Sequence, residues 1–386
     1  MRVLNVNVLI DPITGGGTAE RTFQMSRSLE RAGIECTILT TDIGLTADRM
    51  RLLGDGRVIA LPCISKRFFI VKFSWHQLKV LIDSVDVIHL MGHWSMLNVL
   101  VALLARQTGT PYVVCPAGEL TLFGRSYWIK RLFNAFIGYR IVREASGYIA
   151  VTPKEISAYE RYGVGASQVT VIPNGINEAD FIVDGVSKFR DHFCVGASPF
   201  ILFMGRLNPI KGPDLLLEAF FTIANKYPEF HLVFAGPDGG LLDTLQKIVQ
   251  DRSMSDRVHF IGYIAGRDKA EAYHAADLLV ISSRQEAMSI VVLEAGIAGT
   301  PVLLTDQCGF GEVATVCGGR VVAATVVDLA AGLDGLLMQH SELNGMGKRL
   351  QTHVRKNFTW DVIVGRFQDL YQLILVRHSL GLSIKK

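Results

Sequence analysis

Two glutamates, at positions 286 and 294, lie eight residues apart in the stretch SSRQEAMSIVVLEAGIAGTPVLLTD. The pattern predicts a strand, a loop and a helix, with Glu286 in the loop at the strand's carboxyl end and Glu294 about one turn into the helix, facing the same cleft. Carboxylates in an apolar, small-residue segment are costly to bury unless they bind hydroxyl groups or cations. The pair is therefore a candidate ligand site, although the spacing also fits two solvated glutamates.

Two cations form a second candidate group. Arg206 and Lys211 fall in FMGRLNPIKGPDLLLEAF, after the first predicted strand of the second half of the chain. Both would lie on a strand-to-helix loop, where they could neutralise a polyphosphate. Gly205 and Gly212 would let the backbone approach such a ligand closely. The alternative is a pair of solvated loop charges.

Three consecutive glycines, Gly15 to Gly17, lie between the first predicted strand and a helix predicted from about Glu20 to Ala32. Backbone N–H groups at that junction can bind an anion. The run is not a G-x-G-x-x-G fingerprint, which disfavours a nicotinamide dinucleotide site. A flexible turn is the other interpretation.

Two histidines occur at the end of another predicted strand, in DVIHLMGHWSMLN. Either His89 or His93 could face a cleft and bind a hydroxyl or carboxylate group. A histidine at a strand end is also commonly a buried core residue, so both interpretations stay open.

Along the chain, short β-rich runs alternate with helical stretches. This alternation predicts βαβ units and parallel sheets, which would position the residues named above. Two α/β domains of similar size are expected, at 1–180 and 181–360, joined through the irregular stretch 177–199. A ligand crevice should lie at the carboxyl ends of the strands, facing the other domain. The helix predicted at about 360–378 either belongs to the second domain or crosses back onto the first.

Composition narrows the class of protein. The chain has 386 residues, and 39 Lys and Arg against 36 Asp and Glu leave a net charge of +3, too weak to indicate nucleic-acid binding. The apolar run MLNVLVALLA has ten residues where a membrane span needs about 20. The six cysteines show no metal-ligand spacing, and the N-terminus lacks signal-peptide features. These features predict a cytoplasmic protein with reduced thiols and no metal site.

Two basic and aromatic stretches, 66–79 and 123–143, contain no Asp or Glu. Both lie in residues 1–180, which hold 19 Lys and Arg against 15 Asp and Glu. Such segments suit interfacial helices that bury aromatic faces while their cations meet anionic headgroups. Helices packed on the core with a solvated cationic edge are the alternative.

Taken together, these residues resemble the GT-B glycosyltransferases of retaining family 4, also called glycosyl transferases group 1. The resemblance spans nearly the whole chain, and five motifs match in order: VIPNGI, GRLNPIKGPDLLLEAF, LVFAGPDGG, RVHFIGYI and YHAADLLVISSRQEAMSIVVLEAGIAGTPVLLTD. It implies an α/β fold of two facing Rossmann-like domains with parallel sheets and a cleft between them. It also implies acceptor binding by the first domain and nucleotide-sugar binding by the second.

The resemblance further implies roles for individual residues. Arg206 and Lys211 would bind the donor diphosphate, Glu294 the ribose hydroxyls, and Glu286 the transferred sugar. The remaining donor contacts it implies would come from Gly16 and Gly17 at the diphosphate, from Gly262 and Tyr263 at the nucleobase, and from the backbone of Met288, Ser289 and Ile290. Cations and helix dipoles would replace a metal, so no metal or other cofactor is expected.

The sequence departs from the family pattern at three places. Met91 stands where the family often has the second histidine of His-x-His, so a sugar-facing role would fall to His93. The usual Pro-Ser-Arg reads Ser282-Ser283-Arg284, and the usual Phe-Gly reads Met288-Ser289. These changes leave the diphosphate and ribose positions intact.

The expected activity is transfer of a sugar, with retention, from a UDP-linked donor to a hydroxyl of a glycan or lipid-linked acceptor in bacterial surface polysaccharide or glycolipid synthesis. The protein would be cytoplasmic and could contact the inner face of the membrane through 66–79 and 123–143. The alternatives are a GT-B-like nucleotide-sugar epimerase or phosphorylase, and a non-catalytic sugar- or lipid-binding module.

Overall fold

The computed structural model describes residues 1–11, 13–54, 56–121, 127–193 and 196–381, and for residues 48, 187 and 188 it describes the backbone alone. Cys194 and residues 123–126 of the second basic-aromatic stretch lie outside the described residues. The chain divides into two compact units, Met1–Gly175 with Trp360–Lys386, and Ile176–Thr359. The first boundary lies a few residues before the expected one at 180.

The first unit contains a parallel sheet. Its described strands are β1 (Arg2–Val6), β2 (Glu35–Thr41), β3 (Val58–Leu61), β4 (Cys63–Ser65), β5 (Ile70–Val71), β6 (Val87–Met91), β7 (Tyr112–Cys115), β8 (Gly147–Ala150) and β9 (Val169–Val171). The sheet order is β3-β2-β1-β6-β7-β8-β9, and β4 and β5 form a separate antiparallel pair. Every residue of β6, β7 and β8 is buried, as expected of strands covered on both faces.

Helices connect these strands. They are α1 (Gly16–Arg31), α2 (Ala47–Leu53), α3 (Trp75–Asp83), α4 (Met96–Thr108), α5 (Tyr127–Phe133), α6 (Tyr139–Arg143) and α7 (Ile156–Glu160). A π-helical turn, Asn134–Gly138, joins α5 to α6. Helix α1 begins at Gly16, four residues before the predicted start at Glu20.

The prediction of an interfacial helix over 66–79 is wrong. Residues 66–69 form a turn, Ile70–Val71 is β5, and α3 begins only at Trp75. Phe69 adopts a left-handed conformation with φ 50°, which no helix can contain. Ser74 then caps α3, its hydroxyl accepting a hydrogen bond from the Gln77 N–H.

The second unit contains a second parallel sheet. Its described strands are β10 (Phe200–Met204), β11 (His231–Ala235), β12 (Val258–Gly262), β13 (Leu278–Ile281), β14 (Val302–Thr305) and β15 (Gly319–Val322), in the order β12-β11-β10-β13-β14-β15. Its helices are α8 (Ser187–His192), α9 (Pro213–Ile223), α10 (Leu242–Asp251), α11 (Gly266–Ala275), α12 (Ile290–Ala298), α13 (Glu312–Thr315), α14 (Val326–Leu337) and α15 (Leu343–Asn357). All six strands coincide with β-rich runs of the sequence: FILFMGR, HLVFAGP, RVHFIG, DLLVISS, TPVLLTD and GRVVAA.

The last described helix, α16 (Trp360–Ser379), belongs to the first unit. It contacts α1, and its Phe367 and Tyr371 side chains are buried. The Tyr371 hydroxyl lies 2.7 Å from His89 Nδ1. Of the two interpretations open for this helix, the structure has the one in which it crosses back onto the first domain.

Arg21 of α1 is a buried connection within the first unit. Its guanidinium donates hydrogen bonds to the carbonyls of Ile172 and Pro173 and to Asn174 Oδ1, at 2.7–2.9 Å. It also lies over the Phe367 ring, 5.6 Å from the centroid. A single side chain thus links α1, the segment after β9 and α16.

Candidate functional site

Two loops of the second unit meet at the carboxyl edge of its sheet. Strands β10 and β13 are hydrogen-bonded neighbours, with Leu202 opposite Leu279, so the loops that follow them start side by side. A Cβ atom on Gly212 would lie 2.1 Å from the Ser282 carbonyl oxygen, and Gly212 has φ 68°. The Ser282 hydroxyl donates a 2.7 Å hydrogen bond to the Gly212 carbonyl. Only glycine fits this contact.

This contact brings together two of the residues that the sequence singled out. Lys211 Nζ lies 2.7 Å from Glu286 Oε1, with the carboxylate side chain 11% exposed and the lysine 32%. The Ser283 hydroxyl donates to the same carboxylate oxygen. The Lys211 backbone N–H donates to Asn208 Oδ1 at 2.9 Å, which fixes the loop that carries the ammonium group. Because the Lys211 ammonium is partly exposed, it can move from the Glu286 carboxylate to an anionic ligand. It would then exchange one negatively charged partner for another.

Arg206 lies on the same loop, in a second close backbone contact. A Cβ atom on Gly236 would lie 2.0 Å from the Gly205 carbonyl oxygen, and one on Gly239 would lie 2.8 Å from Arg206 Cγ. The Leu207 N–H donates to the Pro237 carbonyl at 2.9 Å. The glycines after β11 therefore support the stem of Arg206 at the edge of the sheet where Lys211 lies.

Arg284 braces the two loops that carry Lys211 and Glu286. Its guanidinium makes a two-point contact with the Asp214 carboxylate, at 2.9 and 2.6 Å, and also donates to the Pro209 carbonyl. Its backbone N–H donates to the Ile210 carbonyl at 2.8 Å. A planar guanidinium suits such a fork, so Arg284 stabilises the geometry of the loop pair.

Glu294 lies on α12 and is 6% exposed. Lys269 Nζ lies 2.7 Å from its Oε1, and the Tyr273 hydroxyl donates to Oε2 at 2.5 Å. Burial, together with the Glu294 charge, holds the pKa of Tyr273 well above its usual range, so the phenol stays a donor. A carboxylate has about four lone-pair sites, so acceptor capacity for ligand hydroxyls remains.

The residues at the start of α12 include a buried polar group. Met288 and Ser289 are buried, and the Ser289 hydroxyl has no hydrogen-bond partner among the described residues. A Cβ atom on Gly309 would lie 1.8 Å from the Ala287 carbonyl oxygen, so the loop after β14 presses against this segment. Ile290 begins the helix, where backbone N–H groups can bind an anion.

The predicted nucleobase-facing residues lie at the end of β12. Gly262 has φ 73° and an open surrounding, and its carbonyl accepts from the Gly236 N–H at 2.7 Å. Tyr263 follows with 44% of its surface exposed. An exposed aromatic ring at a strand's carboxyl end can stack on a planar base.

The glycine run of the first unit begins α1. Gly16 has φ 60° and is the first residue of the helix, and Gly17 is exposed. A Cβ atom on Gly15 would lie 2.6 Å from Ala19 Cβ and 2.8 Å from the Asp11 carbonyl oxygen. The tight turn therefore requires Gly15, while Gly16 and Gly17 lie at a helix N-terminus suited to an anion.

His93 lies inside the first unit. The residue is 3% exposed. Its ring contacts the Trp94, Phe133 and Tyr162 rings, and its Nε2 lies 2.9 Å from Asn134 Oδ1. Burial lowers the pKa of His93 to about 4, and burial lowers that of His89 to about 3, so both rings are neutral near pH 7. Both histidines are core residues in this structure, and contact between His93 and a sugar stays a prediction.

Several residues of these sites had no signal in the sequence. Lys269 and Tyr273, the partners of Glu294, lie on α11 and are distant from it in the chain. Glu119 follows β7 and accepts hydrogen bonds from the backbone of His93 and Trp94. The four-residue spacing of Lys269 and Tyr273 places them on one face of α11 but does not indicate that this face meets Glu294.

The described residues contain neither a metal cluster nor a membrane-spanning helix. Among these residues, no cluster of three or more His, Cys, Asp or Glu side chains could hold a metal ion. Within the same residues, no helix has both the length and the apolar character needed to cross a membrane. Burial raises the pKa of the Cys36, Cys115 and Cys308 thiols, so these three cysteines are protonated.

Two parallel α/β units with loops of this kind at the carboxyl edge of the second sheet define a GT-B fold. Residues 187–352 match the family described as glycosyl transferases group 1, and residues 16–175 match the glycosyl transferase 4-like domain. The chain belongs to the group 1 glycosyltransferases.

A curated relative and two solved structures illustrate the similarity. Mannosylfructose-phosphate synthase of Agrobacterium fabrum is 31% identical over 248 residues, which cover 61% of this chain and 54% of the relative. The chain spans about half the length of the curated relatives it matches. Anabaena Alr3699/HepE, solved with UDP and glucose, has a TM-score of 0.77 and 19% identity, covering 97% of this chain and all of that one. WaaG, a glycosyltransferase involved in lipopolysaccharide biosynthesis, has a TM-score of 0.69 and 18% identity, covering 96% of this chain and 99% of that one.

The contact at Gly212 leads to a prediction about stability. Gly212→Ala should destabilise the protein more than Gly240→Ala, because both glycines have positive φ but only a Gly212 side chain would meet main-chain atoms. Left-handed strain costs about 1–2 kcal/mol in each variant. The collision should add about 1–3 kcal/mol in Gly212→Ala alone. Urea unfolding followed by far-ultraviolet circular dichroism measures both, and equal losses would contradict the assigned contact.

Proposed function

We propose that this protein transfers a sugar from a nucleotide sugar, most simply a UDP-linked one, to a hydroxyl group of an acceptor. The observation that carries the proposal is the shielded Lys211–Glu286 pair at the carboxyl edge of the second sheet. It supplies a cation for a diphosphate and a carboxylate for a sugar hydroxyl within one hydrogen-bonded unit. Family membership supports the same reaction.

The diphosphate leaving group would be stabilised by cations and backbone donors. Lys211 would turn from Glu286 to the phosphate oxygens, and Arg206 would add a second positive charge from the same loop. The Ser289 hydroxyl and the first N–H groups of α12 would supply neutral donors. Preorganised donors of this kind stabilise the charge that develops as the bond to the sugar breaks.

The nucleoside would be bound by the neighbouring elements of the same unit. Glu294, held by Lys269 and Tyr273, would accept hydrogen bonds from the ribose hydroxyls. Tyr263 would stack on the base, and the open surrounding of Gly262 would leave room for it. A buried carboxylate with fixed donors discriminates strongly for hydroxyl groups, since a ligand without them leaves it unpaired.

Substitutions of Lys211 and Glu294 test this proposal. Lys211→Met should lower kcat/KM for UDP-glucose by about a hundredfold, because the leaving diphosphate loses a cation. Glu294→Gln should weaken UDP binding, measured as the ligand-induced rise in Tm, by about tenfold in Kd. Both are compared with Lys226→Met and Glu218→Gln, which remove exposed surface ion pairs of the same unit.

The outcomes separate the alternatives. Near-normal turnover in both site variants would refute the assignment of the donor site. An altered sugar or a sugar phosphate formed from the donor without any acceptor would indicate an epimerase or a phosphorylase. Binding of UDP-sugars without turnover in the presence of acceptor extracts would indicate a binding module.

Retention of the anomeric configuration is a second part of the proposal. Glu286 would lie against the transferred sugar, with the Ser283 hydroxyl holding its orientation. The same face of the sugar would then lose the diphosphate and receive the acceptor hydroxyl. We expect an α-linked product from UDP-α-glucose, and proton NMR of the anomeric signal measures it. A β-linked product would exclude retention.

We also propose a lipid-linked acceptor, in the assembly of a bacterial glycolipid or surface polysaccharide, for a cytoplasmic protein that contacts the inner face of the membrane. The face formed by Trp128, Leu132 and Phe136, at four-residue spacing on α5 and the π-helical turn, is 61–74% exposed. Lys130, Arg131 and Arg140 lie on the same segment, 127–143, which has no carboxylate. Amphipathic rings with cations suit an anionic lipid surface. Exposed Phe73 and Trp75 of the 66–79 stretch present a second aromatic site.

Vesicle binding tests the membrane contact. The double variant Trp128→Ser with Phe136→Ser should bind vesicles of phosphatidylglycerol and phosphatidylcholine about tenfold less than the unmodified protein, because apolar area is lost. Val327→Ser removes an equally exposed apolar residue of the second unit and should have no effect. Cosedimentation measures both, and added salt should weaken binding. Equal binding to neutral and anionic vesicles would contradict the role of the cations.

A further inference from the structure

A second carboxylate site lies at the carboxyl edge of the first sheet. The loops after β6 and β7 meet there, since the two strands are paired, with Met91 opposite Cys115. Glu119 lies on the second loop, after Ala117 with φ 49° and Gly118 with φ 90°. A non-glycine residue with positive φ is strained, and such strain clusters at functional sites. The strained conformation at Ala117 therefore makes Glu119 a candidate functional residue.

The loop directs the Glu119 carboxylate toward the neighbouring backbone. Its Oε2 accepts hydrogen bonds from the His93 N–H at 2.5 Å and the Trp94 N–H at 3.3 Å. A Cβ atom on Gly92 would lie 3.1 Å from the same oxygen, so glycine makes room for it. Burial raises the pKa of Glu119, while these N–H groups and the nearby Lys130 act in the opposite direction. Both of these N–H groups donate to Oε2, and neither donates to the other carboxylate oxygen, Oε1.

The loop that Glu119 contacts does not depend on it alone. Asn98 Nδ2 already donates to the carbonyls of Met91 and Gly92, at 2.9 and 3.2 Å. The His93 side chain is fixed separately, through Asn134, whose Nδ2 donates to the Tyr162 hydroxyl. A partly buried charge is an expensive third anchor for a loop that is already held. The Glu119 carboxylate is therefore a candidate group for binding a ligand.

Trp94 lies on the loop that this carboxylate anchors, and its side chain is half-buried. Its backbone is one of the two donors to Glu119, and Lys130 lies 5.4 Å from the centre of its indole ring. Lys130 also acts on the Glu119 charge, so the indole and the carboxylate share a neighbour. Such a pair suits a sugar, since an indole ring can cover an apolar sugar face while a carboxylate accepts from a hydroxyl group. Phe133 extends the aromatic surface, with ring centroids 5.6 Å apart.

We propose that Glu119 binds a hydroxyl group of the acceptor sugar and that Trp94 packs against the apolar face of that sugar. Glu119 would then take the sugar-facing role that the sequence predicted for His93. The proposal rests on the glycosyl transfer proposed above and names the acceptor side of it. The ligand class is a neutral, hydroxylated glycoside. The buried His93 ring, which is hydrogen-bonded to Asn134, stabilises the loop after β6 that carries Trp94.

The test uses octyl β-D-glucopyranoside as the acceptor probe. Saturation-transfer NMR measures its binding to the full chain, independently of turnover. Glu119→Gln should weaken binding about tenfold, since a charge-assisted hydrogen bond is lost while an oxygen remains for the backbone N–H groups. Trp94→Leu, which leaves the carboxylate in place, should weaken it as well. UDP-induced stabilisation should stay unchanged in both variants.

Glu155→Gln is the matched control. Glu155 is also a half-buried carboxylate of the first unit, and its pKa is raised by burial. It accepts from the Val151 N–H at 2.6 Å and from the backbone of Gly118, so its substitution disturbs the same loop while the Glu119 carboxylate stays in place. Its substitution should lower Tm but leave binding of the glycoside unchanged. With UDP-glucose as the donor, Glu119→Gln should raise the KM for the glycoside. It should have a smaller effect on the rate at which UDP-glucose is hydrolysed when no glycoside is present.

Three outcomes would overturn the proposal: absence of glycoside binding to the unmodified protein, unchanged binding in Glu119→Gln, and equal loss in Glu119→Gln and Glu155→Gln. Failure of the proposed glycosyl transfer looks different. In that case UDP would give no stabilisation and UDP-glucose no turnover, whereas the NMR measurement would still report whether Glu119 binds the glycoside.

Discussion

The geometry of the Lys211–Glu286 site depends on a main-chain contact between Gly212 and Ser282. Neighbouring parallel strands deliver two loops to the same edge, but side chains would hold those loops apart. With no Cβ atom at Gly212, the backbones touch, and the ammonium of Lys211 reaches the carboxylate of Glu286. The fork between Arg284 and Asp214 then closes the loop pair from the outside. A charged pair is thus positioned by an uncharged contact.

The sequence predicted most of the fold because buried parallel strands carry nearly continuous apolar runs. All six strands of the second sheet fall on such runs, and the loops between them hold Arg206, Lys211 and Glu286. The position of these residues after strand ends, together with flanking glycines, was enough to predict that they share one edge. The same reasoning places Glu294 on the following helix. Local pattern was sufficient wherever the contact joined two adjacent loops.

Contacts between distant elements could not be predicted in this way. Nothing in the spacing of Lys269 and Tyr273 indicates that both bind Glu294, because that depends on how α11 packs against α12. The burial of His93 depends on Asn134, which a π-helical turn directs inward. Glu119 follows a left-handed residue, and no residue type marks such a conformation at Ala117. In each case tertiary packing decided which side chains meet.

Helix α16 has a consequence for how the chain is made. The first unit needs α16, because Tyr371 contacts His89 and Phe367 contacts Arg21. Residues 360–379 nevertheless leave the ribosome only after the whole second unit has been synthesised. The second unit emerges as one uninterrupted segment and can fold during translation. The first unit waits with an uncovered apolar face, so its completion is a late step of biogenesis and exposes the nascent chain to chaperones.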